Sequence, residues 1–152
     1  TKAAPDISGD VLVIQMGSNG GWNDYDELIE QYKAMIANSG TECYIIIGDT
    51  DNPEESVDSA NYTSSQEIGT DDSMWEAALR EALGEHFINM RTYLLENALN
   101  IAGLEPTQMD EEDLSQGRVP ETIKYDYTHL NSYGYYAIGY GVYEKGLELG
   151  YW

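Results

Sequence analysis

Val11-Leu12-Val13-Ile14-Gln15-Met16 leads directly into Gly17-Ser18-Asn19-Gly20-Gly21. The first six residues are mostly apolar and rich in β-branched side chains, which reads as a strand buried on both faces of a parallel sheet. Such a strand belongs in the middle of a sheet, because at an edge it offers an unpaired apolar ladder to other chains. It is also the first strand in the sequence. At least one strand that should pair with it is therefore expected to be missing, or to come from a second chain or a cleaved segment.

The pattern continues as alternating helix and strand. Asp24 followed by Glu27 resembles a capping box, and Leu28, Tyr32, Met35 and Ile36 then recur at helical spacing up to Gly40. Cys43 to Ile47 forms a second strand closed by Gly48, and residues 49–70 are a polar loop. Trp75, Ala78, Leu79, Ala82 and Leu83 mark an amphipathic helix, Phe87 to Met90 a third strand, and Leu94, Leu95 and Ala98 a further helix. Residues 103–124 read as irregular. A last helix is expected from about Ser132 to Leu147, where its four glycines each cost roughly 1 kcal/mol, so packing must hold it. The expectation is a single α/β domain over 1–152, a three-layer α/β/α sandwich around a parallel sheet.

Composition narrows the partners. The chain has 152 residues with 7 Lys plus Arg against 28 Asp plus Glu, and a net charge of −21 repels nucleic acid and anionic lipid surfaces. No run of apolar residues is long enough to span a membrane. The single cysteine, Cys43, cannot form an internal disulfide and reads as a small buried hydrophobe. No charged-then-apolar leader follows Thr1, so a targeting segment is expected to have been removed or never present. An acidic, cysteine-poor chain suits a secreted bacterial protein, and a cytosolic one nearly as well; the expected location is extracellular or the cell envelope.

Two stretches carry chemistry. Asp126-Tyr127-Thr128-His129-Leu130-Asn131 places a histidine three residues after an aspartate, on a turn leading into a helix. The carboxylate can bond one ring nitrogen, fix the tautomer of a general base and stabilise the imidazolium that forms. The alternative is a solvent-exposed cap or turn. At the other end, Gly17 and Asn19 follow a strand, where ligands bind in open α/β sheets, and could aim donors at an oxyanion. A glycine-rich turn entering a helix is the plain alternative.

Taken together, strand-Gly-x-Asn-helix and Asp-x-x-His-x-Asn-x-x-Gly-Tyr resemble the third and last conserved blocks of the SGNH (GDSL-like) hydrolases. The resemblance extends to Tyr44–Gly48, to Phe87-Ile88-Asn89-Met90-Arg91 with Tyr93-Leu94, and to Leu149-Gly150-Tyr151-Trp152. It implies a flavodoxin-like sheet and a serine esterase acting on carbohydrate or small-molecule acyl esters, without cofactor or metal. It makes His129 the general base, Asp126 its orienting carboxylate, and Asn19 and Gly17 the oxyanion donors. In that family the nucleophile sits in a Gly-Asp-Ser turn after the first strand, and no such turn occurs here. A second departure is Gly20, which stands where the family usually has aspartate. Gly48-Asp49-Thr50 is the nearest substitute, but it aligns with a later strand. The serine is therefore expected outside these residues, and this chain alone is expected to be inactive.

A different class remains open. Acidity, aromatic residues and a glycine-rich turn after a strand also fit a non-catalytic flavodoxin-like module binding flavin mononucleotide through a helix amino terminus. Other residues read as structural. His86 is a structural or exposed histidine; Arg91, which follows a strand, could pair with carboxylates or touch substrate, and an ion pair is expected. Asp49-x-Asp51 fails the calcium-loop pattern because Glu54 occupies the glycine position. Eight of the 13 tyrosines lie between Tyr125 and Tyr151; aromatic rings serve as stacking platforms in sugar-binding clefts, but these tyrosines are expected to fill a core edge with the hydroxyl in water, while Trp22 is the aromatic expected near a cleft.

Overall fold

The computed structural model describes residues 9–18, 20–50 and 71–152. Among these, a three-stranded parallel sheet in the order β1-β2-β3 is built from β1 (Leu12–Gln15), β2 (Tyr44–Ile47) and β3 (Phe87–Ile88). Five α-helices accompany it: α1 (Tyr25–Ser39), α2 (Met74–Leu83), α3 (Met90–Ala102), α4 (Gln108–Ser115) and α5 (Ser132–Glu148). The α/β class with a parallel sheet is as the sequence led us to expect.

Side-chain alternation along the strands divides the core in two. Ile14, Ile46 and Phe87 point to one face and pack with Leu28, Ile29 and Tyr32 of α1 and Trp75, Leu79 and Leu83 of α2. Ile45, Ile47 and Ile88 point to the other and pack with Leu94 and Ala98 of α3 and Ala137 and Ile138 of α5. Helices therefore cover both faces of β2, which accounts for its unbroken isoleucine run.

β1 differs from its expectation. It pairs with β2 in the register Val13↔Ile45 and Ile14↔Ile46 and has no second strand partner among the described residues. Only Ile14 is buried; Val13 is 43% exposed and Met16 39% exposed. The reason is lateral position: α3 and α5 cover β2 and β3 on Val13's face, and neither is among the principal contacts of β1.

Local signals explain most element ends. Asp24 caps α1 by accepting from the Glu27 N–H at 2.8 Å, but the Glu27 carboxylate returns to Asn23 rather than to Asp24. Ser73 and Glu76 make a full capping box at the start of α2. β3 is shorter than expected because Asn89 accepts from the Thr92 N–H and starts α3 immediately. Residues 103–124 are not irregular throughout: Thr107 and Asp110 form a second capping box and open α4, and a 3-10 turn follows at Glu121–Ile123. Residues 51–70, most of the polar loop, lie outside the described residues.

The polarity of α5 fixes which end of the sheet its amino terminus occupies. Tyr151, just beyond α5, accepts through its hydroxyl from the Tyr44 N–H at 3.2 Å and lies 3.0 Å from His86 Nδ1. Both partners stand at the amino ends of strands. The carboxyl end of α5 is therefore there too, and its 17 residues, spanning roughly 25 Å, run antiparallel to the strands.

Candidate active site

His129 and Asp126 are held by a small framework of polar residues. Asp126 Oδ1 accepts from the backbone N–H groups of Thr128 at 3.0 Å and His129 at 2.8 Å, a tight turn closed by its own side chain. The same carboxylate meets His129 Nδ1 at 2.9 and 3.0 Å. The backbone hydrogen bonds from His129 and Thr128, with help from the imidazole, outweigh desolvation and hold the Asp126 carboxyl below the usual carboxylate range. An ionised acceptor on Nδ1 selects the Nδ1–H tautomer, leaving Nε2 as the basic nitrogen. Both side chains are well exposed, 67% for His129 and 47% for Asp126.

Behind the pair, Asn131 makes the turn rigid. Its side-chain oxygen caps α5 by accepting from Tyr133 N–H and Gly134 N–H, and its amide donates to the carbonyls of Thr122 and Lys124. The strand-like bridge between Lys124 and Leu130 completes the closure. Gly134 is required by space: a Cβ there would lie 2.7 Å from the Ile123 carbonyl oxygen and 2.8 Å from Leu130 Cβ. The Asn and Gly of the Asp-x-x-His-x-Asn-x-x-Gly pattern thus seat the turn on the 121–124 segment.

That segment is anchored in turn by residues whose positioning role sequence reasoning missed. Asp110 is fully buried; it accepts from the Thr122 N–H at 2.9 Å and Thr122 Oγ1 at 2.6 Å, and from the Thr107 N–H and Oγ1, both at 2.8 Å. Burial works against its ionisation, but the hydrogen bonds from Thr122 and Thr107 prevail and hold its carboxyl below the usual range. Arg91, also fully buried, donates to both Glu76 oxygens at 2.7 Å and to the Gly117 carbonyl at 2.8 Å. It is the ion-pair residue expected, and it ties α2 and α3 to the chain that enters the 121–124 turn. Thr107-x-x-Asp110 was a readable capping signal; the reach of Asp110 to Thr122 was not.

At the other stretch, Gly17 is buried with φ 115°, a conformation open to glycine, and a Cβ would meet Trp75 Cζ2 at 3.2 Å. Trp22 Nε1 donates to the Gly17 carbonyl at 2.9 Å, and Tyr32 Oη donates to the Met16 carbonyl. Burial first, and then the nearby Asp49 charge, push the Tyr32 hydroxyl up to about 12, so it stays a donor. Trp22 is not a cleft aromatic: it is buried against Tyr25 and Trp75, where it supports the turn from below. Ser18 donates to Asp49 Oδ1 at 3.1 Å, joining the turns after β1 and β2. Asn19, the second oxyanion candidate, lies outside the described residues.

The remaining aromatic residues depart from expectation. Of the eight tyrosines from Tyr125 to Tyr151, seven are exposed rather than buried at a core edge. The reason is that α5 packs through its small side, with Gly134, Ala137, Ile138, Gly141 and Gly146 buried. His86 is structural: it stacks on Tyr44 with ring centroids 4.0 Å apart. Cys43 is half-buried and free. No group of metal-ligating side chains occurs, and no helix is long and apolar enough to cross a membrane, among the described residues.

The fold and site define an α/β protein with a parallel sheet and an exposed Asp–His pair ahead of its last helix. Comparisons with models of protein families, with curated proteins and with solved structures find no match. The functional reading therefore rests on the residues and their geometry.

Proposed function

We propose that this chain contributes the base and the oxyanion donors of an SGNH-type ester hydrolase with a flavodoxin-like sheet. The observation that carries the reading is the Asp126–His129 pair, with Nδ1 engaged by the carboxylate at 2.9 Å and the imidazole open to solvent. The nucleophilic serine belongs to a segment that adds a strand beside β1, which has no second strand partner among the described residues. That segment comes from a second chain or from a cleaved part of the same polypeptide. The substrate is an acyl ester of a carbohydrate or small alcohol, and the protein acts outside the cell or at its envelope.

In this mechanism His129 Nε2 takes the serine hydroxyl proton as the serine oxygen attacks the ester carbonyl. The oxyanion accepts hydrogen bonds from the Gly17 N–H and the Asn19 side chain, donors worth about 3 kcal/mol each. Collapse expels the alcohol, which receives the proton from His129, and water deacylates the serine by the same route in reverse.

The flavin mononucleotide reading has less support. The first turn of α1, the natural phosphate seat after β1, carries Asp26 and Glu27 behind the Asp24 cap, and these repel a phosphate.

Incubation of the chain alone with p-nitrophenyl acetate tests the assignment of the nucleophile. No turnover above background is expected, because losing one triad member removes most of the catalysis. Turnover that persists after a serine-directed phosphonate and in Thr50→Ala would place the chemistry elsewhere and overturn the reading.

A further inference from the structure

The exposed tyrosines of α5 are not scattered. Tyr133, Tyr136, Tyr140 and Tyr143 follow a three-, four-, three-residue spacing, which puts them on one helix face over roughly 15 Å. All four are exposed. The face begins beside the Asp126–His129 turn, where Tyr125 and Tyr127 are also exposed. Alongside it runs a groove of about 270 Å3 between α3 and α5, lined by Tyr93, Asn97, Asn100, Ile101, Tyr136, Tyr140 and Glu144.

The floor of this groove is built, not incidental. Gly141 lets the Tyr93 ring lie against α5, since a Cβ there would come within 2.8 Å of Tyr93 Cε1. Tyr93 Oη then donates to Glu144 Oε2 at 2.6 Å, and Asn97 donates to the Tyr93 carbonyl at 2.9 Å. The Asn97 oxygen and the second Glu144 oxygen are left as acceptors beside the tyrosine faces. No Lys or Arg lines the groove, and the whole chain carries −21, so an anionic ligand is repelled twice.

Flat aromatic faces, amide and carboxylate hydrogen-bonding groups and no cation match the chemistry of an uncharged polyhydroxylated ring. The length of the tyrosine row matches a short chain of such rings rather than one. We propose that the α3–α5 groove and the tyrosine row bind a neutral oligosaccharide, whose hydroxyls meet Asn97, Asn100 and Glu144 while its rings stack on Tyr136 and Tyr140. Because the row leads to His129, this deepens the hydrolase reading and rests on it for one point only: the bound glycan is then the alcohol portion of the ester. Binding itself needs no nucleophile.

Native electrophoresis in gels containing glucomannan, arabinoxylan or hydroxyethyl cellulose, with polygalacturonate as the anionic control, tests the proposal on the chain as it stands. Retardation by at least one neutral polymer and none by polygalacturonate is expected. Tyr136→Ala and Tyr140→Ala should each weaken retardation at least ten-fold with unchanged thermal midpoints, since both rings are exposed, and Tyr140→Phe should retain it. No retardation by any of the three neutral polymers, or retardation that survives both alanine variants, overturns the proposal. Self-association in sedimentation that the same variants abolish would show that a second copy covers this face, and also overturns it. Saccharide binding by the chain, with no esterase activity in a polypeptide that carries the serine segment, would remove the hydrolase reading and leave the groove standing; esterase activity in that polypeptide without saccharide binding would remove the groove alone.

Discussion

His129 Nδ1 lies 2.9 Å from Asp126 Oδ1, and the His129 backbone N–H lies 2.8 Å from the same oxygen. One carboxylate oxygen thus orients both the ring and the main chain of the histidine. Exposed ion pairs contribute little to stability, so the consequence of this arrangement is the tautomer. Nitrogen-15 NMR of the neutral imidazole should show the Nδ1–H tautomer, with Nε2 bare. Asp126→Asn should abolish that preference without moving the unfolding midpoint; an unchanged tautomer in the variant would show that Asp126 does not orient the ring.

Gly134→Ala tests how the turn is seated. The new Cβ meets the Ile123 carbonyl and Leu130 Cβ, both inside contact distance. A loss of about 1–3 kcal/mol in urea unfolding is expected, because neither neighbour is the far end of a flexible side chain.

Asp110 gives stability a defined pH dependence. Its folded-state pKa is depressed, so its contribution is complete above the unfolded value of about 3.9 and is lost as pH falls through the lower folded value. Asp110→Asn should cost about 2–3 kcal/mol at pH 7. The gap between the two proteins should narrow below about pH 4. A gap of constant size across that range would mean that Asp110 is not ionised in the folded protein.

Arg91 and Glu76 form a buried pair, with side chains 0% and 8% exposed. Arg91→Met alone should cost about 3–5 kcal/mol by leaving Glu76 buried without its partner. Adding Glu76→Leu should recover part of that loss, which chemical denaturation of the single and double variants reads directly.

Much of the architecture was legible because its signals are local. Asp24 and Gly40 bracket α1, and the isoleucines of β2 announce a strand covered on both faces. What escaped depends on contacts distant in sequence. The acidic run Asp110–Asp113 has no apolar period, so α4 is visible only through its Thr107 cap. The tyrosine spacing of α5 was present in the sequence, but which side faces the core was decided by its small residues: Gly134 seats the helix on Ile123 and Leu130, Gly141 admits the Tyr93 ring of α3, and Ala137 is buried in the core. For the candidate site, Asp126 and His129 meet as their spacing implied. Their support from Asp110 through Thr122 spans 12 residues and leaves no local signature.

The role of His129 as a base is tested most directly in a polypeptide extended upstream of Thr1 from its own coding sequence, assayed for p-nitrophenyl acetate hydrolysis. The expected result is a strand ending in Gly-Asp-Ser in the added segment and turnover blocked by a serine-directed phosphonate. In His129→Ala that turnover should fall by roughly 10³-fold or more. Turnover in the extended protein that is indifferent to His129→Ala would contradict it.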